Sequence, residues 1–332
     1  MKRLAGRRLV VAALKVGLYS LVVAFLCYKL WQVRHGVITS LHTVGWGSVA
    51  LATALCVVGG VPGFIGWRFL LGRLGTRLPL PTAMRLFFLA GLTRYLPGGV
   101  WPTVAHATAA RPLGESPVRM GGAFAACQGL GVTGGLVIAV LALPRLAAVN
   151  ALWWLLLPAM AIALVPVAVP QVLEVLLGLA QRIFRRGTKP LELPGRGTLA
   201  TVTALLGLGW LITGIQVSVL AMALGASPAA ALTLGVGGYA VSVTIGLFAV
   251  VTPSGLGVRE ILLALTLGTM LSGPRLVTLI ALSRVVTTVA DMGSTALVLG
   301  LLTWVGRRRH LPSQVIGSHV IEQPEEQGVS LP

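Results

Sequence analysis

Long apolar runs separated by short polar or basic stretches make up most of the chain. A bilayer core ~30 Å thick is crossed by about 20 apolar residues, each rising 1.5 Å along a helix. By that measure the runs at 9–31, 46–71, 118–143, 152–177, 199–224, 229–251 and 276–305 are each long enough to cross. They are expected to be helical, because hydrocarbon offers no partner to an unpaired backbone N–H or C=O. Two further apolar pieces are too short or broken: 82–96 runs into Pro97-Gly98-Gly99, and 259–272 follows Pro253-Ser254-Gly255-Leu256-Gly257. The expected fold is therefore all-α, a polytopic integral membrane protein with about seven full spans plus two short or re-entrant segments. Irregular backbone survives at membrane depth only when it is buried in protein or lines a wet cavity. The arms 82–96 and about 100–110 accordingly read as a re-entrant hairpin that leaves and returns on one side. A transmembrane domain over residues 1–306 is followed by a polar stretch, 307–332, that reads as a disordered cytoplasmic tail.

Composition removes the soluble alternatives. The 332 residues are 56% hydrophobic and only 10% charged, against roughly 25% charged residues in soluble domains. The opening MKRLAGRR and its apolar run imitate a signal peptide, but the run continues to about Leu30 without a small-x-small site, so an uncleaved first span is expected. Cys27, Cys56 and Cys127 are far apart in apolar runs, with no CxxC or paired histidine, which points away from a disulfide framework or a zinc site.

Charge then sets the topology. Against 26 Lys and Arg stand 8 Asp and Glu, a formal +18. Sixteen of the bases fall before the first span, after the second, in the 178–198 loop and after the last. The opposite loops hold three: Arg34, Arg145 and Arg275. Such an asymmetry is the positive-inside pattern, so both termini are expected in the cytoplasm, and no nucleic-acid partner is needed to explain the excess.

The chemistry gathers at the two breaks and in the last span. In Pro253-Ser254-Gly255-Leu256-Gly257-Val258-Arg259-Glu260 the Pro and Gly residues break a helix and a new one begins. Its first N–H groups lack intrahelical partners and carry the positive end of the dipole, so an anionic phosphate fits there with Arg259 as a charged fork. The alternative is a plain turn whose Arg259 and Glu260 face water. Arg284 and Asp291 lie seven residues apart on one helical face of the last span. Ionisable groups at that depth cost several kcal/mol and must pair or face a polar cavity, so Arg284 is expected to meet Glu260 or Asp291. A substrate site and a structural ion-pair network both satisfy this requirement. The first break contributes Arg94, Tyr95, Pro97, Gly99 and Trp101, with Tyr95 and Trp101 equally readable as interfacial aromatics. His106 reads as a hydrogen-bonded core residue. The two Pro-x-Gly interruptions, one in each half, are the pattern of a transporter built from an internal pseudo-repeat.

At YLPGGVW and VTPSGLGVRE the sequence resembles the flippase-like family typified by the transmembrane region of lysylphosphatidylglycerol synthase. The resemblance implies a helical plasma-membrane (cell-membrane) body, some of whose relatives move modified lipids between leaflets. It implicates Pro253, Gly255, Gly257, Arg259 and Glu260 from the second motif, and Tyr95, Pro97, Gly99 and Trp101 from the first. Where the family often carries an arginine after the first motif, this chain has Ala105-His106, which shifts that role to Arg94 or Arg111 or points to a different substrate. The chain ends just past the last span, so lysyl transfer is not expected of it. No P-loop, HExxH, GxSxG or acidic DxD pair occurs, and neither catalysis nor a metal or other cofactor is expected.

The sequence thus reads as a non-enzymatic protein that binds or translocates an anionic phospholipid or lipid-linked substrate between leaflets. The alternative is an accessory or scaffold subunit for a separate lipid-modifying enzyme or glycosyltransferase. The orientation is open to a direct check: a green fluorescent protein fused after Pro332 should fluoresce, and a C-terminal alkaline phosphatase should stay inactive. The reverse pattern would overturn the assignment.

Overall fold

The computed structural model describes Thr39 and residues 43–96, 99–172, 175, 194–248, 255 and 257–309. The expected span 9–31, Pro97, Pro253 and the tail beyond Arg309 lie outside the described residues. Among the described residues every regular element is helical. In chain order they are α1 (Thr43–Arg73), α2 (Leu80–Leu92), α3 (Trp101–Ala110), α4 (Pro117–Ala139), α5 (Leu143–Val149) and α6 (Leu156–Ala168). After them come α7 (Arg196–Ala223), α8 (Pro228–Gly246, with one π turn), α9 (Val258–Leu267) and α10 (Gly273–Arg309). Six stretches are long and apolar enough to cross a membrane, and they coincide with six of the seven expected spans. The chain is an all-α, multi-pass membrane protein.

Local chemistry sets the helix ends. Proline occupies the first turn of α2, α3 and α4, where its missing N–H has no bond to lose. Ser116 caps α4, its hydroxyl accepting from the Arg119 backbone N–H at 3.4 Å. The last turn of α10 carries Arg307, Arg308 and Arg309, which therefore belong to the helix and not to the tail.

Glycine lets the long helices touch backbone to backbone. A Cβ on Gly134 of α4 would lie 2.8 Å from the Gly207 nitrogen of α7, and one on Gly214 of α7 would lie 2.8 Å from Val236 Cα of α8. Lipid tails are as apolar as the helices, so close contact and dispersion hold the bundle together rather than a hydrophobic gain. A second cluster, around Trp67, Phe124 and Leu199, knits α1–α4 to the start of α7.

These contacts also give direction. Gly66 of α1 faces Val202 and Leu206 of α7, and Gly59 faces Gly209 and Thr213, so the two helices are antiparallel. The Arg73 end of α1 thus shares one end of the bundle with Arg196. From that arginine-rich end α2 enters, and α3 returns to it, where Thr76 donates to Glu115 Oε2 at 2.7 Å. The second hairpin is inverted. Gly238 of α8 packs on Thr266 and Leu267 at the end of α9, while Gly246 packs on Arg259 at its start. A long helix, a broken hairpin and a long helix (α1, α2–α3, α4) are followed by the same order run in reverse (α7, α8–α9, α10). Pro97, Gly99, Ser116 and Arg119 recur at one constant spacing as Pro253, Gly255, Ser272 and Arg275.

Depth follows from helix length. The 13 residues of α2 rise ~20 Å, and the 10 residues of α9 rise ~15 Å from the other end. Each is therefore too short to cross a ~30 Å hydrocarbon layer alone, whereas α8 at 19 residues is long enough to do so. Replacing Gly134→Val would wedge α4 from α7 at a cost of about 1–3 kcal/mol. Thermal unfolding of the detergent-solubilised chain should shift down by several degrees. An unchanged midpoint would contradict the backbone contact.

Candidate functional site

Helix α10 is the post to which both broken hairpins attach. Tyr95, in the 3₁₀ turn that ends α2, donates its hydroxyl to Asp291 Oδ2 at 2.7 Å, and Arg94 Nη1 lies 3.4 Å from the same oxygen. Two turns away on the same face, Arg284 Nε lies 2.7 Å from Glu260 Oε1. The other Glu260 oxygen accepts from the Gly257 backbone N–H at 2.6 Å, reaching back from the third residue of α9 to the residue before the helix. That return bond is one half of a capping box. Glu260 thus satisfies an orphan donor at the helix start and neutralises Arg284 at once.

The glycines make this approach sterically feasible. Gly255 has φ +69°, and a Cβ there would lie 2.9 Å from the Gly246 carbonyl oxygen, so backbone conformation and space both demand glycine. Gly257, with φ +90°, turns the chain into α9. In the first break Gly99 has φ +64°.

Arg259 stands apart from both ion pairs. It lies in the first turn of α9 and is 6% exposed. Its guanidinium carbon sits 5.0 Å from the centre of the Tyr239 ring on α8. Its Nε and Nη2 are buried without a hydrogen-bond partner among the described residues. Arg284 feels Arg259 as a like charge, and Cys56 of α1 lies within electrostatic reach of both Arg259 and Asp291. Three arginines and two carboxylates therefore meet here, and each carboxylate already holds another partner.

Among the described residues the magnitudes do not balance without a further anion. An arginine in the membrane centre costs about 2.5–3.5 kcal/mol on insertion scales. Each buried, unmatched polar group adds about 1–3 kcal/mol. A desolvated cation–π contact returns about 2 kcal/mol. A bidentate anion on the open N–H groups, at the positive end of α9, would supply the missing term.

Of the residues expected to form the site, Arg94, Tyr95, Gly255, Gly257, Arg259, Glu260, Arg284 and Asp291 converge. Arg284 takes Glu260 and leaves Asp291 to the first hairpin. Trp101 opens α3 and is 42% exposed, while Pro97 and Pro253 lie outside the described residues. Arg111 sits in an exposed turn at the far end of α3, ~15 Å of helix from the break, so Arg94 is the arginine of this motif that reaches the cluster. His106 is fully buried, donates from Nδ1 to the Pro102 carbonyl at 2.8 Å and stacks on Phe124, which places it in the core. Thr287 spends its hydroxyl on its own helix, bonding the Ser283 carbonyl at 2.9 Å. Ser283 instead accepts from buried Gln216 at 3.0 Å, beside Arg284. Sequence reasoning missed Gln216, Cys56 and Tyr239, the last an aromatic with a polar tip in a glycine-rich span. Among the described residues no group of His, Cys, Asp or Glu could hold a metal ion.

No family model and no curated protein matches the chain.

The double role of Glu260 separates two variants. Glu260→Gln keeps an acceptor for the Gly257 N–H but loses the charge facing Arg284, whereas Glu260→Ala loses both. Leaving one member of a buried pair alone costs about 3–5 kcal/mol, and losing the cap adds ~1 kcal/mol. Thermal melts should rank wild type above Glu260→Gln and Glu260→Ala lowest. Equal midpoints for the two variants would refute the capping role.

Proposed function

We propose that the chain binds the phosphate of an anionic lipid, or of a lipid-linked substrate, between its two hairpins and moves that lipid across the bilayer. The observation that carries this reading is Arg259: a buried guanidinium at a helix N-terminus, with open donors and no carboxylate partner among the described residues. A lipid fits better than a freely soluble anion because the site lies inside a multi-pass helical bundle, at the tips of short segments that enter it from opposite ends. Arg284 and Arg94 border the site, and Glu260 and Asp291 hold them in position. The reading involves no covalent chemistry. It agrees with the resemblance to the flippase-like family, whose second motif contributes Gly255, Gly257, Arg259 and Glu260.

The test is lipid movement in proteoliposomes containing the full chain. With fluorescent phosphatidylglycerol, wild-type protein should speed exchange between leaflets, and Arg259→Gln should slow it tenfold or more. A hydrogen bond to a charged group contributes about 1.5–3 kcal/mol, and each 1.4 kcal/mol is a factor of ten. Wild-type exchange in a normally melting Arg259→Gln protein would remove Arg259 from the site. Absence of exchange by wild-type protein would favour the accessory-subunit alternative.

A further inference from the structure

The face of Arg259 is held by an aromatic ring where a carboxylate would be the ordinary partner, and the choice has a chemical consequence. A carboxylate binds in the guanidinium plane, occupies two N–H donors and cancels the charge. A ring binds against the guanidinium face, attracts the cation through its quadrupole and leaves the in-plane donors open. Tyr239 is 4% exposed, is fixed on α8 against Trp210 at 6.2 Å between ring centres, and has Arg259 5.0 Å above its own ring centre. Gly246, one helical segment further along α8, meets Arg259 at its Cβ, so the same helix steers both the root and the tip of this side chain. The alternative partners are close, for Glu260 is the next residue and Asp291 lies within the same cluster. Both are tied elsewhere, Glu260 to Arg284 and Gly257, and Asp291 to Tyr95 and Arg94.

We propose that Tyr239 is the positioning residue of the anion site: its ring keeps Arg259 charged, fixed and un-neutralised, so that the in-plane N–H donors remain free for a phosphate group. This inference rests on the proposed role of Arg259. If the ring's hold is weakened, Arg259 turns toward the neighbouring carboxylates and its donors are consumed. The phenol hydroxyl has no part in this, so an unsubstituted ring suffices. The ligand chemistry is a phosphate oxyanion, and the two sources of such a group, a lipid head group and free phosphate, are separated by the choice of titrant.

The experiment titrates the detergent-solubilised full chain with dihexanoyl phosphatidylglycerol by calorimetry, with inorganic phosphate in a parallel arm. Variants are Tyr239→Phe, Tyr239→Leu, Arg259→Gln, and position 239 carrying trifluorinated phenylalanine, which keeps the ring's shape and removes its negative face. Thermal midpoints are recorded for each. Tyr239→Phe should bind the lipid within about threefold of wild type. The fluorinated ring and Tyr239→Leu should each bind it about thirtyfold more weakly, which is ~2 kcal/mol at 1.4 kcal/mol per tenfold. Since fluorination preserves shape, a misfolded Tyr239→Leu leaves the comparison of the two rings intact. Wild-type affinity with the fluorinated ring, together with lost affinity in Arg259→Gln, would overturn the role of Tyr239 and leave the site standing. Equal weakening by Phe and by its fluorinated form would overturn it too, assigning the effect to the hydroxyl. Wild-type affinity in Arg259→Gln would overturn the site itself. Phosphate binding as tight as the lipid's would identify a site for the free ion and refute the lipid reading.

Discussion

A guanidinium buried inside a membrane protein must be met by an anion or an aromatic face, and among the described residues Arg259 is met by the face alone. The surrounding structure answers to that constraint. The start of α9 places Arg259 at the positive end of a helix, which raises the cost of an unmatched cation and the gain from a bound anion together. Glycine at 255 and 257 permits the sharp return that puts Arg259 beside α8. The carboxylates that could quench the charge are each bound to another partner, by bonds of 2.6 to 2.7 Å. The site is therefore tuned by what the carboxylates are already doing.

Helix α10 carries the other half of the design. One helix holds Arg284 for the second hairpin and Asp291 for the first, and the hairpins enter from opposite ends of the bundle. Their charged ends thus meet the same rigid post two turns apart. Glycine backbone contacts keep α4, α7 and α8 close, while Gln216 ties α7 to α10 through Ser283 and Thr295 ties α10 to the Phe88 carbonyl of α2. The inverted order of α1–α4 and α7–α10 explains how two hairpins reach one helix from opposite directions.

Much of this was legible in the sequence, and the reasons are physical. Apolar runs of bilayer length leave few alternatives to helices, and six of the seven expected spans reappear. Pro-Gly breaks announced the hairpins, since such residues cannot continue a helix. The seven-residue spacing of Arg284 and Asp291 placed both on one face. What the spacing could not give was the pairing. The Tyr95 bond to Asp291 joins residues 196 positions apart, and only the fold of the whole bundle brings them together. Tyr239 was invisible for a different reason: an aromatic in a buried span looks like packing until a cation is found above it. Charge ends an apolar run in the sequence, which puts the boundary before Arg307, whereas the helix itself continues to Arg309.

The central claim is that Arg259 is kept open for a phosphate group. The most direct measurement is an electron cryomicroscopy map of the chain in nanodiscs containing phosphatidylglycerol. The account predicts head-group density within hydrogen-bonding distance of the Arg259 nitrogens, with the guanidinium still lying on the Tyr239 ring. A guanidinium turned onto Glu260 or Asp291, with head-group density confined to the bundle's outer surface, would contradict it.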